Sequence, residues 1–238
     1  MRFLSFLFLF IYILPLKAQV AEEDAKVETD SIAPIIDPKY REDQFYATIT
    51  YNLMQGKPEG YSQYSFSTGL GAGFLRDMPV NKRRNRSVAI GLGYSYNNIK
   101  HNFTVTRIDG QNVYKTLSSD AYDKNKLVLH YLELPLELRW RNSDSLSHKF
   151  WRVYVGLKAS YLFASKAQYV QDGTTVTVRN DANLSKLIYG TYLSLGWNTW
   201  NLYAYYSLTP LYDNVIIGDE GQRLKMHSLK LGLVFYIL

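Results

Sequence analysis

The chain has 238 residues, with 27 Lys and Arg against 21 Asp and Glu, no cysteine, and 15% aromatic residues, among them 21 tyrosines. Zero cysteine excludes a disulfide scaffold, a Cys-ligated zinc or iron–sulfur site, a cysteine nucleophile and a lipidated cysteine anchor. The hydrophobic fraction of 47% excludes a disordered chain, the slightly negative mean hydropathy excludes a bundle of membrane helices, and many Tyr and Gly with few charges suit alternating strands.

Arg2 precedes an apolar run, Phe3 to Leu14, broken only by Ser5, and the small Ala18 follows. A basic start, a short greasy stretch and a small residue predict a secretory signal peptide over residues 1–18, cut after Ala18. The run is short for a retained bilayer anchor. Residues 19–43 are expected to form an acidic periplasmic arm, with eight acids and three bases between Ala21 and Asp43, interrupted by Pro34 and Pro38. It reads either as a solvated tether or as an arm that docks on a partner through Ile32 to Ile36.

From Gln44 the hydrophobic period is two, through eight segments: Phe45–Leu53, Tyr64–Phe74, Ser87–Tyr96, Val128–Trp140, Trp151–Phe163, Leu187–Asn198, Trp200–Leu208 and Ser228–Ile237. Strand side chains alternate between faces, so each segment has a greasy face and a polar or glycine-rich one. A soluble sandwich also alternates. The length of the segments and the Gly, Ser and Tyr of the polar faces favour a narrow lumen over an open solvent face. The uncharged run Leu187 to Tyr212 resembles a membrane helix in hydropathy, but a hairpin sorts its polar residues to one face. Connections near 76–86, 141–149 and 198–201 are short, whereas 97–126 and 164–186 are long, with predicted hairpin tips at Asp109-Gly110 and Asp172-Gly173. The expected fold is all-β: an eight-stranded antiparallel up-and-down transmembrane β-barrel over residues 44–238. Its short turns face the periplasm with both chain ends, and its longer loops face outward.

The last strand carries Lys230, Gly232, Phe235 and Ile237 at the spacing of a C-terminal insertion signal, which makes the barrel-assembly machinery an expected partner during insertion. Taken with Tyr131-Leu132-Glu133-Leu134-Pro135-Leu136-Glu137-Leu138, Gly91 to Tyr96 and Val153 to Lys158, the chain resembles the PorT-like outer-membrane β-barrel family of Bacteroidota. The stretches Asp37 to Tyr46 and Gly73 to Pro79 are similar to a porin-like flavobacterial branch of it. That resemblance implies the outer membrane and, through the family's namesake, a link to type IX protein secretion; fold analogy alone does not assign an activity.

No chemistry-bearing constellation emerges. His101, His130, His148 and His227 are not at metal-ligand spacing. His101, Asp109 and Asp120 share one expected outer loop, the place a membrane hydrolase would use, although scattered loop polarity is commoner. Gly69-Leu70-Gly71-Ala72-Gly73 lacks the Lys-Ser/Thr ending of a phosphate loop and lies within a strand. The basic run Lys82-Arg83-Arg84-Asn85-Arg86 is a solvated turn or a contact for lipid phosphates or an acidic protein. Neither an enzyme, a cofactor, a metal nor a nucleic-acid partner is expected.

Three expectations concern side chains. Glu133, Glu137, Arg139, Arg152 and Lys158 share the lumen face, and a hairpin about Ser145 places Glu137 near Arg152 and Glu133 near Lys158 as an ionic cluster. Gly69, Gly71, Gly73, Gly91 and Gly93 form a bare wall to be filled from across the lumen by Tyr131, Tyr154, Tyr192, Tyr203 and Tyr205. Trp140, Trp151, Trp197 and Trp200 all flank short turns, as an interfacial belt on the outer wall. The functions that fit are an anchoring or interaction subunit of an outer-membrane protein-export or barrel-assembly complex, with membrane lipid as its surroundings, or alternatively a narrow pore for ions or small solutes, or a structural envelope barrel.

Overall fold

The computed structural model describes residues 43–237 apart from 64, 119–120, 143–150, 198–199, 214 and 218–221. The signal peptide, all of the arm but Asp43, and His148 and Asp120 lie outside the described residues. The elements are strands throughout: β1 (Gln44–Gln55), β2 (Thr68–Pro79), β3 (Arg86–Lys100), β4 (Phe103–Ile108), β5 (Gln111–Thr116), β6 (Lys124–Arg141), β7 (Trp151–Gln171), β8 (Thr174–Arg179), β9 (Leu187–Trp197), β10 (Trp200–Ser207), β11 (Ile216–Ile217), β12 (Gln222–Arg223) and β13 (His227–Ile237).

Eight of them close a barrel. Pairing runs β1, β2, β3, β6, β7, β9, β10, β13 and back to β1, antiparallel at every step. Closure removes the unpaired edge that an open sheet would present to lipid. The other five strands belong to the long loops. β4 and β5 form a hairpin between β3 and β6, β8 folds back on the end of β7, and β11 pairs with β12 between β10 and β13. Both predicted tips are two-residue turns with positive φ at each position, Asp109 with Gly110 and Asp172 with Gly173, the conformation that matches strand twist.

The loops reach further than the sequence suggests, because β3, β6 and β7 extend as strands to Lys100, from Lys124 and to Gln171. Two local irregularities shape β6 and β7. The β3–β6 ladder breaks between the pairs Ile90–Leu136 and Gly93–Glu133, at Pro135, which has no N–H to give. The β6–β7 register shifts at His130 and Tyr131, so that Phe163 is the extra residue of a bulge and the facing of β7 reverses beyond it.

Polarity is inverted relative to a soluble barrel. Outward positions are apolar on every barrel strand, with Phe45, Ile49, Leu92, Leu134, Leu138, Leu157, Leu195, Leu202 and Leu231 all exposed, while Asp77, Glu133, Glu137, Arg139 and Arg141 are buried. A soluble sandwich would place these the other way round. On β6 the apolar outer stretch from Leu132 to Trp140 matches the ~9–11 residues a tilted strand needs to cross hydrocarbon.

Candidate functional site

Across the apolar band the charged side chains of the barrel strands face the lumen, so a site is sought there first. It is filled in three storeys. Nearest the short turns, β2 supplies Asp77, which no sequence argument singled out. Its carboxylate accepts Arg139 Nη1 at 3.1 Å, Arg141 Nη1 and Nη2 at 3.1 Å each, and Ser87 Oγ at 2.6 Å. Arg139 also donates Nε to Glu137 at 2.7 Å, and its guanidinium lies 4.8 Å from the centre of the Tyr154 ring. Tyr192 donates its hydroxyl to Glu137 at 2.8 Å. At the lower rim Asp43 accepts Arg76 Nη1 at 2.6 Å and the Asp77 N–H at 2.9 Å.

The middle storey is built round Glu133. Lys158 Nζ donates to it at 2.7 Å and Ser95 Oγ donates at 2.7 Å, while Lys158 also reaches the Tyr203 hydroxyl at 3.1 Å. Lys230 stands beside them, 5.1 Å from the Tyr205 ring centre and 5.8 Å from that of Tyr131. The described lumen thus carries Arg139, Arg141, Arg152, Lys158 and Lys230 against Asp77, Glu133 and Glu137. Charges this buried need partners in place, since each ion leaves water at a cost of several kcal/mol.

The register separates one expected pair. Glu137 stands opposite Gly156 and Arg152 opposite Arg141, four positions away along the same face. The hairpin centre inferred at Ser145 misplaced the register here, and Glu137 takes Arg139 from its own strand instead. Lys158, two positions from the residue opposite Glu133, spans that gap with its long stem.

The glycine wall is also filled differently. Tyr46 of the adjacent strand lies against Gly73 and Gly93, and Thr48, Thr50 and Asn52 lie against Gly69 and Gly71. Tyr192 and Tyr205 rest instead on Gly156 and Gly190. A side chain at Gly93 or Gly156 would collide with those rings, so glycine there is a requirement of close approach. Tyr236 does reach across the lumen from β13, its hydroxyl lying 3.4 Å from Glu137 and its ring 5.4 Å from that of Tyr154.

The top storey is an ordinary apolar core under the loops. Met54, Leu127, Leu129 and Leu162 of the barrel pack with Phe103, Leu184, Leu211, Tyr212, Val215, Leu224 and Met226 of the loops. Asp181 is the polar tie, accepting the Tyr114 hydroxyl and Asn112 Nδ2 at 2.6 Å each and so joining the β4–β5 hairpin to the β8–β9 loop. His101 belongs to this cap. Its Nδ1 accepts the Phe103 N–H at 3.0 Å, its ring stacks on Tyr61, and burial lowers its pKa to about 4. Asp109 sits at the tip of the β4–β5 hairpin with positive φ, apart from the His101 ring in the cap. Among the described residues no three His, Cys, Asp or Glu side chains cluster as metal ligands.

Among the described residues the lumen has cavities of about 20 Å³ beside Tyr205 and Lys230 and about 10 Å³ between Glu137 and Lys158, each about the size of one water. A larger open space of about 410 Å³ lies outside the lumen, between the β4–β5 hairpin and residues 178–183.

On the outside, Trp140, Trp151, Trp197 and Trp200 are 44–64% exposed at the turn end. Trp151 and Trp197 lie 5.2 Å apart, and Trp200 meets Phe235 at 5.6 Å. Of the final-strand residues, Phe235 and Ile237 face outward, opposite Ala47 and Phe45, whereas Lys230 and Gly232 face the lumen. The basic turn is shaped by Asn81, whose Oδ1 accepts the Arg86 N–H at 3.1 Å, while Lys82 and Arg83 are exposed.

A family model described as outer membrane protein beta-barrel domain matches residues 18–213. The crystal structure of Ail, the attachment invasion locus protein of Yersinia pestis, is similar in fold at 14% identity and a TM-score of 0.41, covering 82% of this chain and 97% of that one. No curated protein matches.

Proposed function

We propose, from the premise that the chain belongs to the outer membrane protein beta-barrel domain family, that this protein is a plugged barrel serving as an anchoring or interaction subunit. Its complex is one of outer-membrane protein export, of the type IX secretion kind, or of barrel assembly. The observation that carries this reading is the lumen: ion pairs and tyrosines fill it, the loops cap it, and the cavities between its described residues beside Lys230 and Lys158 are about the size of one water. A barrel so filled acts through its surfaces, which here are the capped loop end, the lipid-facing wall and the arm.

In this reading the short turns and both chain ends face the periplasm. The tryptophans at the turn end support it as an interfacial belt, because indole gains most at the boundary of hydrocarbon and headgroups. The PorT-like motif around Pro135 supports placing the chain in that branch, and Lys230, Gly232, Phe235 and Ile237 are proposed as the signal read during insertion. The protein is proposed to catalyse no reaction and to bind no nucleic acid. A narrow pore is the second reading, favoured by the surplus of cations in the lumen. Chemical crosslinking in native membranes followed by purification of this chain tests the first. Recovery of one large outer-membrane or periplasmic assembly in fixed proportion supports it, and recovery of the barrel alone contradicts it.

A further inference from the structure

The outer wall above the apolar band carries a basic patch that neither the fold nor the plug requires. Cross-strand register defines it, row by row. Tyr96 and His130 stand opposite one another at the upper edge of the band, with Ala164 beside them. The next row toward the loops is Asn98, Val128, Lys166 and Arg179, then Lys100, Lys126, Gln168 and Thr177, then Lys124, Val170 and Thr175. Five bases stand in these rows, and no acid stands at any of these paired positions.

Two features make the patch more than scattered solvation. Lys100 is directly opposite Lys126, and Lys166 directly opposite Arg179, arrangements that destabilise a sheet; Lys124, Lys166 and Lys100 all repel the Lys126 ammonium. Second, Lys166 reaches this face only because of the bulge at Phe163. On an unbroken strand it would share the inward facing of Lys158 and Ser160. The bulge re-aims it outward beside Lys126.

We propose that this patch binds the phosphate groups of lipid headgroups in the outer leaflet. Neighbouring strands are ~4.8 Å apart and alternate residues ~6.6 Å apart along a strand, so the five cations lie close enough to serve one or two phosphates together. The aromatic edge formed by Tyr94, Tyr96, His130 and Phe163, with ring centres 5.4–6.1 Å apart, marks the height at which hydrocarbon gives way to headgroups. Phosphate there neutralises the cross-strand repulsion and fixes the barrel's depth. The proposal rests on the orientation given above, loop end outward.

The test uses the full barrel in neutral detergent, titrated with diphosphorylated lipid A, its dephosphorylated form and inorganic phosphate, with retained lipid counted by native mass spectrometry. The wild type is expected to retain the phosphorylated lipid in preference to the dephosphorylated one. The combined variant Lys100→Gln, Lys124→Gln, Lys126→Gln, Lys166→Gln and Arg179→Gln is expected to bind at least roughly tenfold more weakly while keeping its folded gel mobility. Neutralising Lys82, Arg83, Arg84 and Arg86 at the other end is expected to leave binding unchanged. Equal binding by the five-residue variant, no preference for phosphate on the lipid, or displacement by millimolar inorganic phosphate would each overturn the proposal. Orientation is read separately, by labelling a single cysteine introduced as Gln111→Cys with an impermeant reagent on intact cells. Labelling without lipid binding sinks the patch and leaves the orientation standing.

Discussion

Replacing Asp77 with Asn is expected to be the most damaging single change in the lower lumen. The substitution keeps the size of the side chain but removes its charge, and it turns one acceptor oxygen into an amide donor. Asp77, Arg139 and Arg141 are all buried, and the carboxylate takes three guanidinium N–H groups at 3.1 Å. Arg139 retains Glu137 after the change, whereas Arg141 loses both contacts to Asp77. Breaking a buried ion pair by removing one partner costs about 3–5 kcal/mol, because the remaining charge stays out of water. With a urea dependence of about 2 kcal/mol per molar, the unfolding midpoint falls by roughly 2 M. The assay is urea unfolding of barrels refolded into lipid vesicles, followed by the shift between folded and unfolded gel mobility. Adding Arg141→Met to Asp77→Asn is expected to restore part of the loss. A midpoint within roughly 0.5 M of wild type for Asp77→Asn alone, on the same urea scale, would show that water or another group already serves the arginines.

Three further outcomes follow from the same geometry. Glu133→Gln alone is expected to destabilise more than Glu133→Leu with Lys158→Met, by about 1–3 kcal/mol, since the pair removes its charges together; the same urea titration reads it, and a more damaging double variant would contradict the pairing. The His101 pKa is lowered to about 4, so the unfolded loop takes up a proton before the folded one. The stability of the cap is therefore complete above pH ~6.5 and falls by about 3 kcal/mol as the pH drops toward 4. Hydrogen exchange of the Phe103 to Thr116 amides checks this, and equal protection at pH 7 and 4.5 would count against a neutral, buried imidazole. Tryptophan emission is expected to be quenched most by lipid-attached labels near the headgroups; strongest quenching at the bilayer centre would overturn the proposed belt and the strand phase together.

The eight strands and their facing were legible because period-two alternation is local and every barrel strand obeys it, β7 as far as its bulge at Phe163. Asp109-Gly110 and Asp172-Gly173 were legible for the same reason, as turn chemistry is written in two adjacent residues. What depends on register was not. Glu137 is separated from Arg152 by a turn whose centre the sequence does not mark, and a slip of two positions keeps a side chain in the lumen while changing its partner. Asp77 was invisible because it lies past the glycine run of its segment, at the end of β2 beside Pro79, where no apolar alternation marks it. Its fit to Arg139 and Arg141 needs the β2–β3–β6 alignment. The bulge at Phe163 left no signal either, since Phe163-Ala164 reads as an unremarkable strand end, yet it decides which way Lys166 points. The cap was missed because Phe103, Leu184, Leu211 and Leu224 are isolated apolar residues in polar loops, and only the closed barrel brings them together.

Conductance across a planar bilayer tests the central claim, that the lumen is a plug, most directly. Purified barrel inserted at moderate salt is expected to remain silent, because Asp77, Glu137, Arg139, Tyr154 and Tyr192 fill the lower lumen and the loops cover the upper one. Sustained discrete openings from the wild-type protein would contradict the plugged barrel and favour the pore.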